Sequence, residues 1–243
     1  MLFRSIIIDQ TILQSDKTVN FDNTMSVDDM QYIINNQPKN LNGHNLIFQF
    51  ADGTYDFGTT HLYFLEFEGG SLKMFGNLNN TLAANGTGLG VKIQSEKTNG
   101  NGAFLIEKCS RVIIEKIAFE QNGTNTDTNL VCLRFASDLL IEECSFNNVN
   151  GSANTNDGIE VTQSKATVRS CGFNNLSYNI LCRENSRSHS QDTFTFSGGT
   201  DAYRNLRAET GSIMTQNNTQ AGGGDSLSSN SGSVIFDKDG QTT

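Results

Sequence analysis

Three segments of the chain repeat one apolar pattern in register, and that repetition limits the folds open to it. Cys109–Phe119, Ala136–Phe146 and Gln163–Phe173 each begin 27 residues after the segment before. Val112, Leu139 and Ala166 correspond, as do Ile114, Ile141 and Val168. Ile117, Cys144 and Cys171 form a third column, and Phe119, Phe146 and Phe173 a fourth. Within each segment the apolar positions fall at i, i+2, i+5 and i+7, which is strand alternation broken once and resumed. The breaks, Glu115-Lys116, Glu142-Glu143 and Arg169-Ser170, are polar pairs and read as corners. A further short strand precedes each set, at Phe104–Ile106, Val131–Leu133 and Ile159–Val161.

Three strands and one long polar turn per 27 residues are the signature of a parallel β-helix, an all-β fold whose coils stack at roughly 4.8 Å. The columns then merge into a core that no single coil builds alone. Upstream, Asn45–Phe50, Leu62–Leu65, Ser71–Phe75 and Val91–Ile93 read as earlier strands; downstream, Ile180–Cys182 and Thr193–Phe196 read as the last. Ser26-Val-Asp-Asp29 is a capping box that opens a short helix through Met30, Ile33 and Ile34, ended near Pro38. This helix is expected to cover the open edge of the first coil. The reading divides the chain into an N-terminal segment with its capping helix (1–40), the β-helix (41–200) and a Gly/Ser-rich tail with short strands (201–243). Two apolar islands in that tail, Ile213-Met214 and Val234–Phe236, show no evident intrachain core to join and read as contact surfaces.

Charge and composition narrow the function. The net charge is −9, which opposes nucleic-acid binding by phosphate neutralisation. The longest apolar run is Ile6–Ile8, too short to insert in a membrane or to form the core of a secretory signal. The five cysteines, at 109, 132, 144, 171 and 182, include no CxxC pair and read as buried free thiols. Gly86-Thr-Gly-Leu-Gly90 precedes a strand rather than a helix, so it is not a phosphate loop. His44, His61 and His189 are scattered. No metal or cofactor is expected.

The opening of the chain carries a resemblance. Tyr32–Gly43, then Phe50-Ala-Asp-Gly-Thr-Tyr55, Glu68–Lys73 and Gly76-Asn77 resemble the start of pectin-lyase-like β-helix proteins of phage and prophage tail modules. The tail is similar too, at Leu206–Ala208, Gly211–Ile213, Gly222–Gly224 and Gly232–Ile235. The resemblance implies a right-handed helix, a homotrimer, and a place at the virion tail, assembled in the bacterial host cytoplasm among other tail proteins. It implies contact with host cell-surface polysaccharide as a tail fibre or tailspike. It brings no catalytic motif.

Cleavage of a glycan needs two carboxylates at a set separation, or a base, usually beside a calcium ion, for elimination. The acidic residues near long turns are Glu120, Asp127, Asp157 and Glu160. Asp127, Asp157 and Glu160 are the catalytic candidates, and coil stacking could bring Asp127 beside Asp157. All three are expected in or beside wet Asn/Gly turns, with no His, Tyr or Arg arranged around them. Binding without cleavage is therefore the expected function, and a polysaccharide hydrolase or lyase the alternative. Tyr55, Tyr63, Tyr178 and Tyr203 are candidates for stacking on sugars. Glu107, Arg134, Thr162 and Arg183 are expected to form one outward column, with Glu107 paired to Arg134. Glu115, Glu142 and Arg169 should stack at a corner, and Asn147-Asn148 over Asn174-Asn175.

Overall fold

The computed structural model describes residues 11–97, 100–123, 128–136, 138–149, 156–195, 204–216, 227–229 and 231–236. Strand β1 (Lys17–Phe21) and helix α1 (Val27–Asn35) open it. Complete coils follow. The first three are β2 (Asn45–Phe50), β3 (Gly53–Asp56), β4 (Leu62–Leu65); β5 (Ser71–Phe75), β6 (Val91–Ser95), β7 (Gly100–Glu107); and β8 (Arg111–Glu115), β9 (Ile117–Gln121), β10 (Thr128–Arg134). The next three are β11 (Asp138–Glu142), β12 (Ser145–Asn148), β13 (Asn156–Thr162); β14 (Lys165–Arg169), β15 (Gly172–Asn174), β16 (Tyr178–Arg183); and β17 (Arg187–Gln191), β18 (Phe194–Thr195), β19 (Arg204–Ala208). Then come β20 (Ile213–Gln216), β21 (Leu227–Ser229) and β22 (Val234–Phe236).

From β2 to β20 each pairing is parallel and joins strands three apart in sequence, and β1–β2, β19–β21 and β20–β22 continue the same sheets at the ends, giving a parallel β-helix. Among the described residues the first sheet has nine strands, the second six and the third seven. The 27-residue columns are the observed register: Ile141 pairs with Ile114 and Val168, and Phe146 with Phe119 and Phe173, while Val131 pairs with Phe104 at 27 residues and with Ile159 at 28. All nine of these side chains are buried. The Phe146 ring lies 5.2 Å from Phe119 and 5.1 Å from Phe173, nearly parallel to both.

The polar corners turn the chain through single left-handed residues. Lys116, Glu143 and Ser170 have φ of 59°, 48° and 51°. Each donates its backbone N–H to the next coil's carbonyl, so the corner stays in the ladder. All five cysteines are free and buried.

Several elements depart from the sequence reading. β1 and β3 add strands at Lys17–Phe21 and Gly53–Asp56, and β1 pairs with β2, so the ladder starts before the helix. β17 has Ser188 and Ser190 at its inward positions, over Ala166 and Val168, which erases the apolar alternation. There the period also contracts, from 27 residues between Arg111 and Asp138 to 22 between Lys165 and Arg187, because only Asn175–Ser177 link β15 to β16. The two apolar islands do join an intrachain core. Met214 and Ile235 are buried, stacked on one another in the first sheet, while Ile213 and Phe236 face outward.

Helix α1 begins as its capping box requires, with Asp29 N donating to Ser26 Oγ at 3.1 Å. Met30 and Ile34 enter the core and Ile33 packs partly against it. The helix lies beside β4, the edge of the third sheet.

Candidate functional site

Outward positions of the third sheet hold an ordered polar ladder. One column runs Tyr63, Leu105, Cys132, Glu160, Leu181, Arg207. The neighbouring column, two residues on, runs Leu65, Glu107, Arg134, Thr162, Arg183. Because the two columns share a face, side chains meet diagonally between coils.

Glu160 is the centre of this ladder. Its side chain is 6% exposed although it points away from the core. Oε2 accepts from Asn129 Nδ2 at 2.5 Å and from Arg183 Nη1 at 3.4 Å. Oε1 accepts from Thr162 Oγ1 at 3.0 Å and lies 4.0 Å from Arg134 Nη2. Arg183 donates through Nε to Glu209 at 3.1 Å, and Glu209 also pairs with Arg207. Arg207 in turn donates to the Tyr178 hydroxyl and lies over the Tyr178 ring, 5.0 Å from its centroid. At the other end Tyr63 donates to Glu107 Oε2 at 2.9 Å. Burial first, then the Glu107 carboxylate, pushes the Tyr63 phenol up to about 12.

Glu107 thus pairs with Tyr63, and Arg134 turns to Asn101 Oδ1 at 3.2 Å and to Glu160 instead of to Glu107. Glu107 and Arg134 stay opposite one another in register, while at the start of the same strand pair β7 carries an extra residue against β10 between Asn101 and Phe104.

At the corner that joins the third sheet to the first, a stack of left-handed residues runs Glu66, Lys108, Phe135, Gln163, Glu184. Beside its upper end lies an open cavity of about 450 Å³ lined by Lys39, Asn40, Glu66, Glu68, Gly69 and Lys108. Lys39 Nζ sits 3.7 Å above the Phe67 ring, and its partial burial lowers the ammonium pKa from the usual lysine value.

The sequence-derived candidates are distributed as follows. Asp127 and Tyr203 lie outside the described residues. Asp157 and Glu160 belong to β13 itself rather than to a turn, because Asn156 enters the ladder and accepts from Thr128 Oγ1 at 2.7 Å. Asp157 pairs with Asn129 in register and accepts from Tyr178 N at 3.2 Å. Glu160 does have arginines around it, contrary to expectation. The signal was available: it lies two residues before Thr162 on the face already read as an Arg/Glu column. Tyr55 is buried and bonds the carbonyls of Phe21 and Ala51, so it cannot stack on a sugar. Tyr63 and Tyr178 are on the ladder. Glu120 pairs with Lys92 at 2.9 Å on the second sheet. Glu142 pairs with Arg169 at 2.5 Å over the neighbouring Glu115, and Asn174 donates to Asn147 at 2.8 Å. Among the described residues, no three His, Cys, Asp or Glu side chains group to hold a metal ion.

No family model matches the chain, and no curated protein matches it. Among solved structures, the ORF18 product of Geobacillus virus E2 is similar at 13% identity and a TM-score of 0.39, over 90% of this chain and 60% of that one. A substituted pectate lyase from Xanthomonas campestris matches at 12% identity and a TM-score of 0.38, over 93% of this chain and 82% of its own. A thermostable pectate lyase, PL 47, matches at 11% identity and a TM-score of 0.39, over 97% of this chain and 82% of its own. Likeness at this level carries no shared site.

Proposed function

We propose that this chain is a glycan-binding β-helix component of a phage or prophage tail fibre or tailspike, which holds host cell-surface polysaccharide without cleaving it. The observation that carries the reading is the Glu160 ladder. Three arginines, three glutamates and two tyrosines on or beside the strands of the third sheet hold one another in place, so their remaining donors and acceptors meet a ligand already ordered. Glu160 offers little to chemistry, since both of its oxygens accept from groups of its own chain. The ladder also favours an uncharged polysaccharide. Arg134, Arg183 and Arg207 each have a carboxylate nearby, and the net charge of −9 opposes a polyanion.

A hydrolase is the second reading. Glu160 and Glu209 both bind the one guanidinium of Arg183, which holds their carboxylates closer than the spacing of the strands behind them and no further apart than inverting hydrolysis allows. The test is an array of neutral and polyanionic bacterial capsular and wall polysaccharides, followed by assay of bound samples for new reducing ends or unsaturated sugars. Binding of neutral chains without products supports the proposal. Products that vanish in Glu160→Gln would replace it with the hydrolase. The tail-fibre assignment further entails a homotrimer, and light scattering that returns 26.6 kDa would remove that part.

A further inference from the structure

Phe135 stands in a conformation and a place that its side chain does not favour. Fourteen non-glycine residues among those described have positive φ, and thirteen of them are polar. Phe135, at φ 52°, is the exception. A bulky residue is strained in this region, whereas Asn or Gly adopts it readily. The ring gains no burial in return, being 50% exposed. Its stack neighbours turn away from it: Lys108 pairs with Glu66 at 3.4 Å and Gln163 donates to Glu184 at 3.1 Å. The ring is left half exposed, with hydrogen-bonding side chains on the corner residues of the coils to either side.

Two further features meet at this point. The cavity lined by Glu66 and Lys108 begins one corner step away. Arg134, the residue before Phe135, carries the ladder to the same corner. A strained, exposed aromatic between a polar ladder and an open polar cavity matches what a pyranose requires: an apolar surface for its C–H face and polar partners at its rim.

We propose that Phe135 is the stacking platform of the glycan site, with a sugar ring over its face and the adjoining sugar in the Lys39–Lys108 cavity. This rests on the reading of the chain as a glycan binder and goes beyond it by placing the contact at the corner. The two can fail separately.

The test exploits the absence of tryptophan from the chain. Phe135→Trp introduces the sole indole, directly at the platform. Wild type, Phe135→Trp and Phe135→Asn are titrated with whichever neutral capsular or wall polysaccharide the wild type retains most strongly. Phe135→Asn is expected to lose about tenfold or more in affinity, the loss of one aromatic contact. Its thermal midpoint should hold or rise, because Asn accepts the left-handed region. Phe135→Trp should keep affinity and shift its emission on binding. Phe135→Asn binding within twofold of wild type, or unchanged Phe135→Trp emission in a saturated complex, overturns the platform while leaving the glycan reading standing. Wild type that retains no polysaccharide overturns both.

Discussion

Gln31 pairs with the main chain of Tyr63 as a neighbouring strand would. Its side-chain Oε1 accepts from Tyr63 N at 2.7 Å and its Nε2 donates to Tyr63 O at 2.9 Å. One amide thereby closes the middle of β4, the open edge of the third sheet, from helix α1. Gln31→Leu should cost about 2 kcal/mol, two hydrogen bonds at roughly 1 kcal/mol each, and promote association through the freed edge. Urea denaturation with light scattering reads both. Gln31→Glu keeps the acceptor and loses the donor, so its loss should be intermediate.

Phe146→Ala removes the middle ring of a stack of three, with Phe119 and Phe173 left facing a void. Core truncations of this size cost about 3–5 kcal/mol. A loss under 1 kcal/mol in equilibrium unfolding would mean that the rings do not stack in solution.

Glu115 should respond to pH in the opposite sense to a paired carboxylate. Burial first, and the stacked Glu142 next, raise its pKa above the ordinary glutamate value of 4.5. The folded state therefore binds this proton more tightly than the unfolded chain does. The charge destabilises the fold above the folded pKa, and the penalty disappears as pH falls below 4.5. Glu115→Gln should thus stabilise at pH 7, by less than about 1 kcal/mol for so solvent-screened a corner, and the gain should vanish below pH 4.5. A gain that persists in acid would assign it to another cause.

The thiols should be silent in the native protein. Burial pushes Cys109 up to about 11 and Cys132 and Cys182 up to about 12, and raises Cys171 as well. Thiolate is the reactive species. A disulfide reagent at pH 8 should titrate none of the five cysteines before unfolding and all five after it. Rapid native labelling of any one would place it at the surface.

Strand alternation and the 27-residue repeat were enough to specify the β-helix, its inward columns and its polar corners, because each depends on neighbours along the chain and on recurrence at one spacing. Where inward positions became serine, in β17, that signal failed, although the backbone ladder still paired. The outer face was legible only in part. The column of Glu107, Arg134, Thr162 and Arg183 follows from register, but its pairings do not. Arg134 meets Glu160 and not Glu107 because side chains from adjacent coils reach one another diagonally, and because Tyr63 holds the Glu107 carboxylate. Phe135 is likewise unremarkable as a letter in the chain. Its left-handed backbone and half-exposed ring are set by the corner stack and by where Lys108 and Gln163 find their partners. Sequence alone determines which side chains face the core, since burying apolar surface sorts them by local period. Tertiary structure decides which polar groups meet outside it, since contacts a few ångströms across bring together residues some 25 positions apart.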